Sequence, residues 1–433
     1  MTDAAVPDND RPTRRRSTRD KPRVVVTGIG LVSPLGMRRE IAWRNLKEGR
    51  SAARVLDVPV APGAPPYVGY PLPHSDHRPS EQLFKAAIEA AEDAGVRKGV
   101  SIDPDRAAAV VGLSKGDLRR LAAYHARSLR GGPEAEEALR GWAAAWPNAM
   151  ASALARVWDF RGPCLAPVAA CATGVVAVLQ AADLIRRGAC DLAFAGAADS
   201  SLEPLVLGAF RRMGVLARVE GDPAAAVRPW DRYRSGFLVG EGGAILVLER
   251  ADHARARGVL PYAELAGGAY GSDAYHPTDL DPDPSGLADL IVRALEAADV
   301  APAEVDHVNV HGTATRPNDP LECLALRRAL GPHADAVSCS ANKAQIGHLL
   351  GGAGAAELAI TCLAIRDGFV PPTLNLHDPD PACDLDGTPH VGRARPIRAA
   401  LKLSLGFGGH LAAAVLRGPD GPRRAPEPRD DHD

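Results

Sequence analysis

From residue 22 onward, short β-branched runs alternate with longer stretches of helical periodicity. Val24 to Thr27 is an apolar run closed by Gly28 and Gly30, which predicts a buried strand entering a tight turn. Apolar spacing over Glu81 to Ala94, ended by Gly95, predicts a helix, and Ala107 to Leu113 a second strand. Further strands are expected at Leu192 to Ala195, Ala244 to Leu248, Val305 to Val310 and Leu411 to Leu416, and further helices at Gly174 to Arg187 and Ala353 to Ile365. Pro59 to Pro79, rich in Pro, Gly and His, reads as a long loop. Strand pairs around helices recur before and after residue 255. An apolar run precedes Cys171 to Gly174 in the first half, and Val308 to Val310 precedes His311 to Thr315 in the second. Two related α/β halves that bring strand ends to one shared site are therefore expected.

The uncharged stretch from Cys164 to Ala182 is long enough to span a membrane. Its Ala, Gly, Thr, Gln and Cys content and the helix-breaking Pro167 argue instead for a strand end, a turn and a central helix. Composition supports a globular chain: 46% of the 433 residues are apolar and 24% charged. With 43 glycines and 37 prolines, many loops are expected. The net charge of -2 offers no global attraction to nucleic acid or an anionic membrane. Of the basic residues only seven are lysine, a bias we assign to overall genome composition. Seven widely spaced cysteines without a C-x-x-C pair fit a reducing cytosol better than a disulfide framework or zinc site. The first 21 residues, with Arg14 to Arg16 in a row, lack the apolar core of a signal peptide and read as a solvated tail, as does the Pro-rich, charged C-terminus; a cytoplasmic location follows.

Three segments carry candidate chemistry. Cys171 stands where an apolar stretch gives way to an alanine-rich helix, whose free N–H groups can stabilise a thiolate and hold an oxyanion. A small core cysteine is the bland alternative. His311-Gly-Thr-Ala-Thr315, with Asp319 and Glu322 downstream, and Lys343-Ala-Gln-Ile-Gly-His348 each place a histidine beside glycines. Ser404-Leu-Gly-Phe-Gly-Gly409 can present backbone N–H groups to a ligand. Thr27-Gly-Ile-Gly30 has Ser33 where a dinucleotide fingerprint needs its third glycine, and His74 and His77 in the Pro-rich loop read as solvated, so neither a nucleotide nor a metal is called for.

Taken in order, VVVTGIGLVSPLG, ACATG, RPWDRYRSGFLVGEGGA, GSDAYHPT, HGTAT, KAQIGH and GFGG resemble the motif series of the β-ketoacyl-acyl-carrier-protein synthases, the condensing enzymes of fatty acid and polyketide synthesis, over residues 22 to 418. The resemblance implies a thiolase-like α/β fold, two pseudo-duplicated halves in an α-β-α-β-α core, divided at 22–257 and 258–418 between tails 1–21 and 419–433. It implies Cys171 as the acyl-accepting nucleophile and His311 and His348 as the imidazole pair that assists malonyl decarboxylation. Lys343 becomes the lysine that organises this pair, with Glu322 as its partner, and the N–H groups of Cys171 and Phe407 the oxyanion hole. Thr313, Thr315 and Thr278 match positions on the carrier's phosphopantetheine arm, and Phe210 a gate beside the acyl pocket. An acyl carrier protein is the implied partner, met at Arg211 and Arg212, with no cofactor or metal bound to the enzyme. A dimer, either of like subunits or with a related chain-length-factor subunit, is also implied.

The sequence departs from that pattern at His410 and Leu411 after GFGG, where Thr-Asn is common, at Ala344, where a serine is usual, and at Gly352, where an alanine is usual. These departures point to a specialised branch such as polyketide or polyene synthesis. The alternatives are a non-elongating chain-length-factor-like subunit, whose mark is loss of the nucleophile retained here, and a loading acyltransferase or decarboxylase of the same fold.

Overall fold

The computed structural model describes residues 22–73, 79–100 and 102–419. The terminal tails with Arg14 to Arg16, and His74 and His77, lie outside the described residues. Ten strands form one continuous sheet: β1 (Val24–Val32), β2 (Ala107–Leu113), β3 (Cys164–Leu165), β4 (Leu192–Asp199), β5 (Gly242–Arg250), β6 (Ala263–Ser272), β7 (Val305–Asn309), β8 (Ser338–Ser340), β9 (Ala399–Gly406) and β10 (His410–Arg417). The order is β8-β7-β9-β10-β6-β1-β5-β4-β2-β3.

That order contains the same five-strand motif twice. In the first half, β1 pairs antiparallel with β5 and β5 with β4, whereas β4, β2 and β3 are parallel. In the second half, β6 pairs antiparallel with β10 and β10 with β9, whereas β9, β7 and β8 are parallel. The halves meet where β1 pairs with β6 at Val25 to Glu264 and Val26 to Ala263.

Helices fill equivalent places in the two motifs. α1 (Pro79–Asp93) and α2 (Ala149–Trp158) flank the first half; α3 (Thr173–Arg186) enters β4 and is followed by α4 (Pro204–Met213). α5 (Ser285–Ala298) and α6 (Asn318–Leu330) flank the second half; the short α7 (Lys343–Ile346) and then α8 (Ala353–Asp367) lead to β9.

Strand alternation sorts side chains into three apolar layers. Val24, Val26, Val110 and Ala195 from one half, and Ala400, Ala412 and Leu416 from the other, enclose α3 and α8. The opposite faces, carrying Val111, Phe194 and Val247 in one half and Val308, Leu401 and Val415 in the other, are covered by α1 and α2 and by α5 and α6. The result is five layers, α-β-α-β-α, as the motif series implied. Because both faces of the central strands are covered, β1, β2, β4 and β9 are buried along their whole lengths.

Two local outcomes differ from the reading of the sequence. Gly28 and Gly30 do not turn the chain; they lie inside β1, where an added Cβ would sit 2.2 Å from the Ala90 carbonyl oxygen and 1.7 Å from that of Ala86. They let α1 lie directly on the strand. β6 and β9 were not anticipated, since AELAGGAYGS and AALKLSLG lack β-branched residues and owe their strand form to pairing on both sides. No helix among the described residues is long and apolar enough to cross a membrane.

Candidate active site

The two central helices begin against each other. A Cβ on Gly174 would lie 2.3 Å from the Ala355 nitrogen, and one on Gly354 2.9 Å from the Val175 nitrogen. Because α3 and α8 start at the same place, the loops that enter them also converge, carrying Cys171 and His348. The HGTAT loop follows β7, and the GFGG turn joins β9 to β10. Cys171, His311, His348 and Phe407, together with Thr313, Thr315, Thr278 and Phe210, line one cavity of about 1080 Å³.

Cys171 sits in a tight turn, Ala170–Ala172, ahead of α3. Ala170 has φ of +45°, a region costly for a residue with a Cβ. Thr173 holds this turn: its hydroxyl donates to the Ala170 carbonyl at 2.7 Å and accepts from the Ala169 N–H at 2.9 Å. The GFGG turn approaches so closely that a Cβ on Gly406 would lie 3.0 Å from the Cys171 nitrogen. The Phe407 N–H points at the Cys171 sulfur. The backbone of Cys171 and that of the GFGG turn thus lie side by side at the cavity.

The expectation of a lowered thiol pKa is reversed. Burial pushes the Cys171 thiol up to about 11, and the opposing charges of Lys115 and Lys343 and the Phe407 N–H do not offset it. The sulfur is a neutral thiol at rest and needs a proton acceptor when it attacks. His311 and His348 line the same cavity: burial first, then the Lys343 charge, holds both imidazoles well below the usual histidine range, so both are neutral. Their rings stand 5.4 Å apart, edge to face. His348 Nδ1 accepts from the Leu350 N–H at 3.2 Å, so its proton is on Nε2. Phe237 lies 5.0 Å from His348, and Phe210 packs on both Phe237 and Phe407 at 5.5 and 6.4 Å.

Behind the cavity wall lie the charges. Lys343 is fully buried; its ammonium donates to the His311 carbonyl and pairs with Glu357 Oε1 at 2.7 Å. The assignment of Glu322 as its partner is therefore corrected. Both Glu322 oxygens are taken by the N–H groups of His311 and Gly312, the latter at 2.9 Å. Burial pushes that carboxyl up to about 7. Glu322 holds the backbone of the histidine, and the carboxylate on Lys343 comes from α8.

Glu357 also pairs with a second buried ammonium, that of Lys402, 2.8 Å from Oε2. Neither Glu357 nor Lys402 was singled out in the sequence. Each is the sole charged residue inside an apolar run, AGAAELAI and AALKLSLG, which was the available signal. Lys115, paired with Asp199 at 2.9 Å, was missed as well. Three of only seven lysines thus belong to this site.

The peripheral assignments fare unevenly. The Thr313 and Thr315 hydroxyls are 2.8 Å apart on the cavity wall, and exposed Thr278 lies at its rim with its N–H on His276 Nδ1 at 3.2 Å. Arg211 is not a free surface cation: its guanidinium stacks 3.8 Å over Tyr67 and donates to the Pro65 carbonyl at 3.0 Å. Arg212 remains exposed.

Residues 78–254 match the model of the β-ketoacyl synthase N-terminal domain, and residues 262–377 that of its C-terminal domain. The tetracenomycin polyketide synthase ketoacyl synthase alpha subunit of Streptomyces glaucescens is 35% identical over 421 residues, 92% of this chain and 97% of that one. The 3-oxoacyl-acyl-carrier-protein synthase 2 of Coxiella burnetii is 35% identical over 413 residues, 92% of this chain and 99% of the other. Among solved structures, a type II PKS acyl-carrier protein in complex with its ketosynthase bound to the hexaketide superposes with a TM-score of 0.85 at 31% identity, over 93% of this chain and 100% of the other. The ishigamide ketosynthase/chain length factor gives 0.83 at 29%, over 92% and 100%.

Proposed function

The chain belongs to the β-ketoacyl synthase family, and from that premise we propose that it elongates carrier-bound acyl chains by decarboxylative condensation, in polyketide or polyene rather than housekeeping fatty acid synthesis. The observation that carries this reading is the meeting of a thiol, two neutral imidazoles and two backbone N–H groups on one cavity.

In the first half-reaction, Cys171 Sγ attacks the thioester carbonyl of an acyl carrier. The carbonyl oxygen gathers negative charge against the N–H groups of Cys171 and Phe407. The carbon–sulfur bond to the carrier breaks, and the thiol proton passes through an imidazole to the departing pantetheine sulfur. In the second, a malonyl carrier enters along Thr313 and Thr315. Its carboxylate leaves as carbon dioxide, and the electron pair of the broken C–C bond becomes an enolate. His348 and His311, both neutral, donate to the enolate oxygen instead of carrying a charge. The enolate carbon attacks the acyl–Cys171 carbonyl, a C–C bond forms, and the Cys171 sulfur leaves as a thiolate that takes up a proton from solvent through an imidazole. Every step uses residues placed around the cavity, and none calls for a metal or redox group.

The substrate's pantetheine arm suits the cavity, whose wall changes from hydroxyls at Thr313 and Thr315 to aromatic rings at Phe210 and Phe237. An acyl carrier protein is the partner in this reading, docking near Arg212. Dimerisation is read from the short edge strand β3, where Val157, Leu165 and Val168 are exposed together. Either a second copy or a related chain-length-factor subunit fits that role.

Intact-protein mass spectrometry with a panel of acyl-carrier thioesters tests the reading. An acyl mass on the wild type, absent from Cys171→Ala, followed by a β-ketoacyl carrier two carbons longer on adding malonyl carrier, is the expected result. A folded dimeric protein that takes no acyl group from any donor overturns it.

A further inference from the structure

Building on the ketosynthase reading, we propose that Lys402 is a positioning residue for the decarboxylation half-reaction: its buried ammonium, the second cation on Glu357, clamps the backbone that carries His311 and sustains the positive field behind both imidazoles.

The clamp is visible in the hydrogen bonds. Lys402 donates to the Leu403 carbonyl and, at 3.4 Å, to that of Val310, while Lys343 donates to the next carbonyl, His311. Glu322 takes the N–H groups of His311 and Gly312. Three charged side chains thus hold the Val310 and His311 carbonyls and the His311 and Gly312 N–H groups. Glu357 links the two lysines, 2.7 Å from one and 2.8 Å from the other.

This arrangement is costly for a core. Taking an ammonium out of water carries a desolvation penalty, and here one carboxylate, Glu357, is shared by two ammoniums. Lys402 has no exposed surface and lies in a strand buried along its whole length, where an apolar side chain would serve packing. A local rule broken at this depth, beside reacting groups, marks a functional constraint.

The field follows from what faces the ammonium. Glu357 comes from α8, Lys343 from α7, Glu322 from α6, His307 from β7, and His311 and His348 from the cavity loops. The charges of Lys343 and Lys402 both add to burial in keeping His311 and His348 neutral. The same positive potential favours the negative charge that develops on an enolate oxygen between these rings. Burial pushes Lys402 down to about 8, against the pull of Glu357 and Glu322. Above that pH the ammonium loses its proton, the field weakens and the clamp on the Val310 carbonyl loosens.

The test compares wild type, K402R and K402M in two assays from about pH 6.5 to 9.5. One is acyl loading of Cys171 from hexanoyl-pantetheine, followed by intact mass; the other is carbon dioxide release from malonyl-pantetheine. The wild-type kcat for release is expected to fall above about pH 8, and K402R, always charged, to keep its rate past that point. K402M is expected to show no such limb, with kcat lowered on the order of tenfold, KM within about twofold and acyl loading nearly unchanged. A K402M protein with the wild-type rate and limb overturns the inference, as does K402R matching K402M with loading and release lowered by one common factor. A wild type that neither loads nor releases carbon dioxide overturns the functional reading itself, and this inference with it.

Discussion

Gly406→Ala probes the proposed oxyanion hole without touching a reacting side chain. The added methyl would lie 2.9 Å from the Ala169 carbonyl oxygen and 3.0 Å from the Cys171 nitrogen, where ordinary contact begins at 3.4 Å. Both atoms are backbone in a turn already held by Thr173, so relief must come from the GFGG turn moving away by about half an ångström. Phe407 is the next residue, and its N–H moves with it. Oxyanion donors act over a narrow range of about 2.7–3.1 Å, so this displacement removes most of one donor, worth ~10²–10³ in rate. Overpacking costs a further ~1–3 kcal/mol of stability, which a chain of this size tolerates. The assay pairs acyl loading of Cys171 with its alkylation by iodoacetamide, a displacement that creates no oxyanion. Loading should fall by ~10²–10³ while alkylation stays within a few-fold. If both fall together, the methyl has blocked access to the sulfur; if loading falls less than about fivefold, the two N–H groups are not the site of charge stabilisation.

Alkylation of Cys171 in a Cys164→Ser background should quicken about tenfold per pH unit through pH 9, because a thiol held up at about 11 stays mostly protonated there; a plateau near the ordinary ~8.5 of a free cysteine would refute the effect of burial. Glu357→Leu removes the shared counter-charge of two ammoniums and should cost ~3–5 kcal/mol in urea unfolding at pH 7. In the wild type the depressed Lys402 already opposes folding below pH 8, and that penalty fades as pH rises from about 8 toward its unfolded value. The variant, with Lys402 lower still, should lose less stability at pH 10 than at pH 7, and equal losses at both would count against a charge origin. Arg212→Glu should raise the KM for carrier-bound substrate while sparing the pantetheine thioester, and an unchanged KM refutes carrier docking there. Thr173→Ala, losing two hydrogen bonds around a positive-φ alanine, should slow acyl loading more than it lowers the unfolding midpoint; a loss of stability with full loading would make the threonine structural only.

What could be read in the sequence was whatever is encoded within one loop. Cys171, His311, Lys343 and His348 stand in motifs because each loop must turn sharply at a strand end or helix start, and the glycines and small residues that allow this surround the reactive side chain. The strands of high β-propensity were legible for the same local reason. β6 and β9 were not, because their form depends on neighbours far along the chain. The duplicated strand order was only hinted at, since pairing register leaves almost no trace in composition.

The charge network was illegible for a further reason, and Lys343 shows it. The resemblance implied Glu322 as its partner, 21 residues before it, although Glu357 stands nearer in sequence, 14 residues after it. Yet a carboxylate goes to whichever donors the fold leaves unsatisfied, and the strand end at Val310 leaves two N–H groups that no ladder partner meets. Glu322 is claimed by that backbone, which frees Lys343 to reach α8 across the site. Glu357 can then serve two lysines because α8 is the central helix, bordered by α7 on one side and by β9 on the other. The seven lysines among fifty-one basic residues carried the missing information. In a chain that otherwise selects arginine, a lysine alone in an apolar strand, set against one carboxylate and two carbonyls, is there for its charge rather than for packing.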